Sequence, residues 1–180
     1  MKKVIVFLAD GTEEIEALTP VDMLRRAGAE VTFAGVGKKE CVCSHGVKIV
    51  TDAVAEDCAI CDYDMAVLPG GMPGTLNLGA CEAVLKIVEK TNSQGGFVAA
   101  ICAAPSVLGR MGLLCGKRAT CYPGFEDKLT GAVLAEERAV RDGNVITACG
   151  AGAAMDFALI LVAALYGDEK AENLRKAVIA

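Results

Sequence analysis

Short apolar runs of strand length alternate with longer helix-favouring stretches from one end of this 180-residue chain to the other. That alternation points to an α/β domain built on a largely parallel sheet. Val4 to Ala9 is a continuous apolar run, as expected of a strand buried on both faces, and Glu13 to Ala27 mixes polar and apolar residues as a covering helix does. Gly28 suits the end of that helix, while Pro20 inside it predicts a kink or a tight first segment. Glu30 to Val36 reads as the second strand and Cys41 to Val50 as a hairpin. Met65 to Leu68 is a further buried strand, running into the turn formers Pro69 to Gly74, which open a helix. Cys81 to Thr91 is helical, Phe97 to Ile101 a central strand and Ala104 to Met111 a helix. Beyond them, Arg118 to Tyr122 reads as a strand and Phe125 to Leu129 as a helical turn. Val140 to Ala148 is a hairpin around Asp142-Gly143, Ala153 to Tyr166 an apolar helix closed by Gly167, and Glu169 to Val178 an amphipathic last helix. No linker, repeat or low-complexity tract interrupts the pattern, so residues 1–180 are expected to form a single domain.

Several function classes fall away on composition. Eighteen Lys and Arg against 23 Asp and Glu give a net charge of −5, without the basic footprint of a nucleic-acid binder. The apolar run after Lys2 and Lys3 is too short for a signal-peptide core, and Phe157 to Tyr166 is half a membrane span, so a soluble, cytoplasmic protein is expected. Nine cysteines cannot all pair within one chain, which fits reduced thiols in a reducing compartment.

Cys102 carries the main chemical signal, because it falls between a strand and a helix, at the carboxyl edge where open α/β sheets bind ligands. Unpaired N–H groups at a helix start favour a thiolate, so a nucleophilic, oxidisable thiol is expected there; a small buried hydrophobe is the alternative. Glu13, Glu14 and Glu16 follow the first strand and reach the same edge, where a carboxyl could move protons for that thiol or only complement a helix dipole. Their spacing does not choose among them. The Pro69 to Gly74 turn could offer backbone N–H groups to an oxyanion, but it lacks the ending of a P-loop and the spacing of a dinucleotide fingerprint. Cys58 and Cys61 form a C-x-x-C pair and Cys41 and Cys43 a C-x-C pair, a mismatch for a four-ligand zinc site, so no metal is expected. His45 is the only histidine, and no local Cys-His dyad surrounds Cys102.

These residues stand in motifs that resemble the ThiJ/PfpI superfamily, nearest its Parkinsonism-associated deglycase subfamily. The matching stretches are Ala9-Asp10-Gly11-Thr12-Glu13-Glu14-Ile15-Glu16, Pro20-Val21-Asp22 with Arg25-Arg26-Ala27-Gly28, Leu68-Pro69-Gly70-Gly71 and, most specific, Ala99-Ala100-Ile101-Cys102-Ala103-Ala104-Pro105. The resemblance spans essentially the whole chain and implies a flavodoxin-like three-layer α/β/α sandwich, a homodimer and a nucleophile elbow. It implies Cys102 as nucleophile, Glu16 as the carboxyl hydrogen-bonded to its sulfur, and the N–H groups of Gly71 and Ala103 as the oxyanion pocket. No cofactor is implied. The activity implied is a glutathione-independent glyoxalase or deglycase acting on small carbonyl substrates such as methylglyoxal. Oxidation sensing or redox-linked chaperone behaviour through a sulfinate is the rival.

Two departures qualify the resemblance. Tyr122 precedes Pro123 where the best-known animal members have histidine, so Tyr122 is at most a substitute auxiliary group. Ala103 follows the cysteine where the protease-like branch has histidine, which disfavours a peptidase. His45 falls in a segment that approaches the dimer interface in the family, so it is either an auxiliary residue entering a partner's site or a surface histidine.

Overall fold

The computed structural model describes residues 1–59 and 63–180. In chain order the main elements are β1 (Lys3–Leu8), α1 (Glu14–Ala27), β2 (Glu30–Gly35), the hairpin strands β3 (Glu40–Val42) and β4 (Lys48–Val50), and the short β5 (Ala53–Val54). β6 (Met65–Leu68), α2 (Gly74–Ala80), α3 (Glu82–Ser93), β7 (Phe97–Ile101) and α4 (Pro105–Arg110) follow. The rest comprises β8 (Arg118–Ala119), β9 (Val133–Leu134), β10 (Ala139–Asp142), β11 (Val145–Ala148), α5 (Ala154–Tyr166) and α6 (Asp168–Val178).

A seven-stranded sheet runs in the order β10-β11-β7-β6-β1-β2-β5, with only β10 antiparallel to its neighbour. The strand order reverses between β1 and β6, the arrangement of flavodoxin-like sheets, and ligands of such sheets bind at that reversal on the carboxyl edge. Phe157, Met23, Leu24 and Leu161 belong to one buried cluster, in which α1, α5 and α6 cover one face. Ile5, Phe7, Leu68, Ile87 and Leu108 belong to the other, beneath α3 and α4. Each such fully buried side chain contributes about 1.5–3 kcal/mol, which explains why β1, β6 and β7 read as unbroken apolar runs.

Local chemistry sets the element ends. β1 stops at Leu8 because the next N–H, that of Ala9, donates to the Thr12 hydroxyl at 3.0 Å. The Glu13 carboxylate caps α1 by accepting the Glu16 N–H at 2.8 Å, and Gly28 closes it in the left-handed conformation with φ of 96°. α1 continues through Pro20 as one element rather than dividing there, with Ala17, Val21 and Leu24 buried along one face on either side of the proline. The hairpin expected at Cys41 to Val50 forms as β3 and β4, and the one around Asp142-Gly143 forms with Asp142 opposite Val145.

The strand expected over Arg118 to Tyr122 is shorter. Only Arg118 and Ala119 pair, with β9, because the next donors are taken elsewhere: Thr120 N–H by the Thr147 hydroxyl at 2.9 Å and Tyr122 N–H by the Cys102 carbonyl at 2.8 Å. Of the C-x-x-C pair, Cys58 follows a short 3-10 turn, and Cys61 lies outside the described residues. Among the described residues no helix is long and apolar enough to cross a membrane.

Candidate active site

Register brings the chemistry to one edge. Leu68 pairs with Ala100, and Ile101 with Ala148, so the segments leaving β6, β7 and β11 emerge side by side, with the start of α1 next to them. Cys102 is the first residue past β7 and has φ of 65°. For a residue with a Cβ that conformation costs about 1–2 kcal/mol, and the surroundings hold it in place. Its N–H donates to the Ala148 carbonyl at 2.9 Å, and its carbonyl accepts the Tyr122 N–H at 2.8 Å. The chain then turns through Ala103 and Ala104 into α4, with Pro105 at the first helical position, where a missing N–H costs nothing.

Glu16 projects from α1 to this thiol, and its side chain is 1% exposed. Gly70 N–H donates to Glu16 Oε2 at 3.0 Å. The other oxygen, Oε1, is buried without a hydrogen bond of good geometry, and the carboxyl interacts with the Cys102 thiol. Loss of solvent is the main reason the Glu16 carboxyl is pushed up to about 7, with the nearby Glu13 carboxylate adding to it and the bonds from Cys102 and Gly70 opposing it. The three acids thus have separate tasks. Glu13 caps the helix, Glu14 accepts from the Ser44 hydroxyl at 3.2 Å and lies 3.1 Å from His45 Nδ1, and Glu16 faces the thiol.

The expected depression of the thiol is not what these surroundings produce. Burial, then the charge of the Glu16 carboxylate and its hydrogen bond, push Cys102 up to about 12, against the N–H groups of Gly71 and Ala103, which hydrogen-bond the sulfur and pull the other way. Sequence shows the helix start but not the carboxylate beside it, and α4 is only six residues long. The physical content is a shared proton. With Glu16 protonated its repulsion disappears, and the two N–H groups and a donating carboxyl then favour the thiolate.

Glycine is required where the backbone closes on this pair. A Cβ on Gly70 would lie 2.6 Å from Cys102 Cβ and 2.6 Å from Glu16 Oε2, and Gly71 has φ of 87° with a Cβ position 2.3 Å from Glu13 N. The Cys102, Glu16, Gly71 and Ala103 set is therefore brought together. Tyr122 contributes its backbone to Cys102 and leaves its side chain half exposed over Gly150. His45 is on the turn between β3 and β4, largely exposed, and bonds Glu14 and Ser44 rather than Cys102. Glu13, Glu14 and His45 bring one ligand atom each within 4.8 Å of one another, a set distinct from the cysteines weighed for a metal.

Sequence reasoning missed the Ala148 carbonyl and the Thr147 hydroxyl, which fix the thiol's backbone and the segment beside it; they fall in an apolar strand that carries no chemical signature. It also left the other thiols unassigned. Cys41, Cys43 and Cys121 are buried, and burial foremost holds all three up.

Comparison with known proteins gives the same outline. The model of the DJ-1/PfpI family matches residues 2–164. The chain is 40% identical over 183 residues to the Parkinson disease protein 7 homolog of Danio rerio, covering 99% of this chain and 97% of that one. It is 34% identical over 174 residues to the glutathione-independent glyoxalase DJR-1.2 of Caenorhabditis elegans, covering 96% and 92%. The chain spans less than half of two longer relatives, 40% of DJ-1 homolog B and 45% of homolog A of Arabidopsis thaliana. The solved structure of oxidized Toxoplasma gondii DJ-1 superposes with a TM-score of 0.96 at 35% identity, covering 99% of this chain and 98% of that one. With the sheet, the elbow and the full-length similarity in agreement, the chain belongs to the DJ-1/PfpI family.

Proposed function

We propose that this chain is a cysteine-dependent, glutathione-independent enzyme of the glyoxalase or deglycase kind, converting methylglyoxal-type dicarbonyls or their early adducts to 2-hydroxy acids. The observation that carries the reading is the contact of Glu16 with Cys102 beneath the N–H groups of Gly71 and Ala103. The similarity to the glutathione-independent glyoxalase of Caenorhabditis elegans supports it.

The steps follow from the groups present. The thiol proton passes to Glu16 as the sulfur bonds to the aldehyde carbon, and the carbonyl pair becomes an oxyanion stabilised by backbone N–H donors. Glu16 returns the proton to that oxyanion, giving a hemithioacetal and a free carboxylate. The carboxylate then removes the C1 hydrogen to form an enediol and delivers a proton to C2, leaving a thioester. Water cleaves the thioester to lactate and the free thiol. A group poised at about 7 can serve as acid and base alternately near neutral pH. Purified protein should convert methylglyoxal to lactate without glutathione, and Cys102→Ala should abolish it; equal rates in the two would reject the reading.

A second reading is favoured by the similarity to Toxoplasma gondii DJ-1, whose solved structure is of the oxidized protein. Here peroxide oxidises Cys102 to the sulfinate, two oxygens being gained at sulfur as two peroxides are reduced to water. Intact mass after mild peroxide, together with negligible dicarbonyl turnover, would select it. For either function we infer a cytoplasmic homodimer acting as one domain. The exposed Ile15 and Leu18 on α1, and Val47 and Val50 on the hairpin, support a partner surface.

A further inference from the structure

An open cleft of about 320 Å³ lies among the segments that lead away from the thiol site. Its walls continue the segments that flank Cys102. Met72 follows Gly71, the Ser106 hydroxyl donates to the Ala103 carbonyl at 2.6 Å, and Phe125 N–H donates to the Tyr122 carbonyl at 3.1 Å. The lining is divided in character. Met72 and Leu76 leave much of their surface uncovered, and the Phe125 ring adds to them. Arg110 and Lys128 bring two positive charges, with the Lys128 ammonium 4.5 Å from the centre of the Phe125 ring. Among the described residues neither cation forms an ion pair; Arg110 donates only to the Gly79 carbonyl.

Thr75 supplies the independent observation. It lines the cleft at 2% exposure, and its Oγ1 has no hydrogen-bond partner, although its own N–H reaches the Gly71 carbonyl at 2.9 Å. A helical threonine ordinarily returns its hydroxyl to the carbonyl one turn back, and a buried hydroxyl without a partner costs about 1–3 kcal/mol. That oxygen is enclosed, with less than 1 Å² exposed, so an acceptor in the cleft meets it only as the side chains over it give way. Two cations without ion-pair partners select an anion, and the uncovered Met72, Leu76 and Phe125 select a hydrocarbon attached to it.

We propose that this cleft binds the carboxylate of a small molecule carrying a short apolar arm, and that it extends the thiol site toward thiol-reactive compounds bearing such an acid. Binding itself is independent of any turnover. The extension rests on the reactive thiol of the proposed function, and its test is therefore alkylation rather than dicarbonyl conversion.

Hexanoate is the probe, with hexan-1-ol and inorganic phosphate as comparators, and amide chemical shifts of the whole protein are the measurement. Hexanoate should perturb Thr75, Leu76 and Ser106, and bind at least about fivefold more tightly than either comparator. Lys128→Gln, at an exposed site, should weaken it about threefold or more, and Arg110→Gln/Lys128→Gln further. Thr75→Val should weaken hexanoate binding while stabilising the free protein, a pair of signs that a purely structural role does not produce. In the second arm, the Cys102 sulfur displaces iodide from 6-(iodoacetamido)hexanoate, forming S–C as C–I breaks. That reagent should label Cys102 at least about fivefold faster than N-hexyl-iodoacetamide in the wild type, with the advantage lost in the double variant. Equal binding of hexan-1-ol would reduce the cleft to an apolar patch, and equal binding of phosphate to a bare anion site. Either result, unperturbed Thr75, unchanged affinity in Lys128→Gln, or equal labelling by the two reagents would overturn the proposal.

Discussion

Glu16 and Cys102 meet over a glycine: a single methyl on Gly70 would stand 2.6 Å from the Cβ of one and 2.6 Å from a carboxylate oxygen of the other. Gly70→Ala should therefore separate the pair before it disturbs the rest of the fold. The expected outcome is a loss of about 1–3 kcal/mol in chemical denaturation, with dicarbonyl turnover falling much further than stability. Turnover at the wild-type level would show that the contact is dispensable.

Glu16→Gln keeps the shape of the side chain and removes its charge. The thiol of Cys102 should then titrate lower than in the wild type, read from the pH dependence of iodoacetamide alkylation, because the carboxylate that raises it is gone. If the profile stays where it was, burial alone governs the thiol.

The same variant has a linkage signature. The folded-state pKa of Glu16 is raised from 4.5 to about 7, so the folded protein holds the proton more tightly than the unfolded chain. Its contribution is fully present below pH 4.5 and is lost as pH rises toward 7, a change of order 3 kcal/mol. Denaturation curves at pH 4.5 and pH 8 should show the wild type losing that increment and Glu16→Gln not losing it. Parallel losses in both would refute the assignment.

Tyr122 touches Cys102 through its backbone, which Tyr122→Phe preserves. Turnover should stay within about twofold, whereas a general acid or base contributes about a hundredfold or more. A loss of that larger size would give the phenol a chemical role.

Thr147 is fully buried, and its hydroxyl accepts the Thr120 N–H at 2.9 Å. Thr147→Val should cost about 1–3 kcal/mol by leaving that N–H unpaired, and Thr147→Ser, which keeps the acceptor, appreciably less. Urea denaturation of the two variants side by side decides the matter.

What was legible from residues alone follows burial. β6 and β7 match their sequence runs to the residue, because strands covered on both faces must be apolar throughout, and Cys102 was visible as the residue where such a run gives way to a helix. β5 and β9 are not legible and β8 is legible only as part of a longer run, since two residues of pairing impose no period on a sequence. The choice among Glu13, Glu14 and Glu16 came from resemblance rather than spacing, and in the fold their partners separate them: a helix N–H, a serine with a histidine, and a thiol. The upward push on the thiol is not legible in the sequence, because burial, its main cause, and the Glu16 carboxylate, distant along the chain, act on Cys102 only after β1 and β7 join the same sheet.

The two backbone bonds at Cys102 have a consequence for exchange with solvent deuterium. Its amide proton points to Ala148, and its carbonyl holds that of Tyr122, so neither proton is released by the flutter of a surface loop. The first must await an opening that parts the end of β7 from β11, and the second one that lifts the Tyr122 segment from Cys102, so the Cys102 proton belongs with the slow-exchanging centre of the sheet even though it borders a reactive edge. The hairpin turn at His45, exposed to solvent, will lose its protons long before that of Cys102.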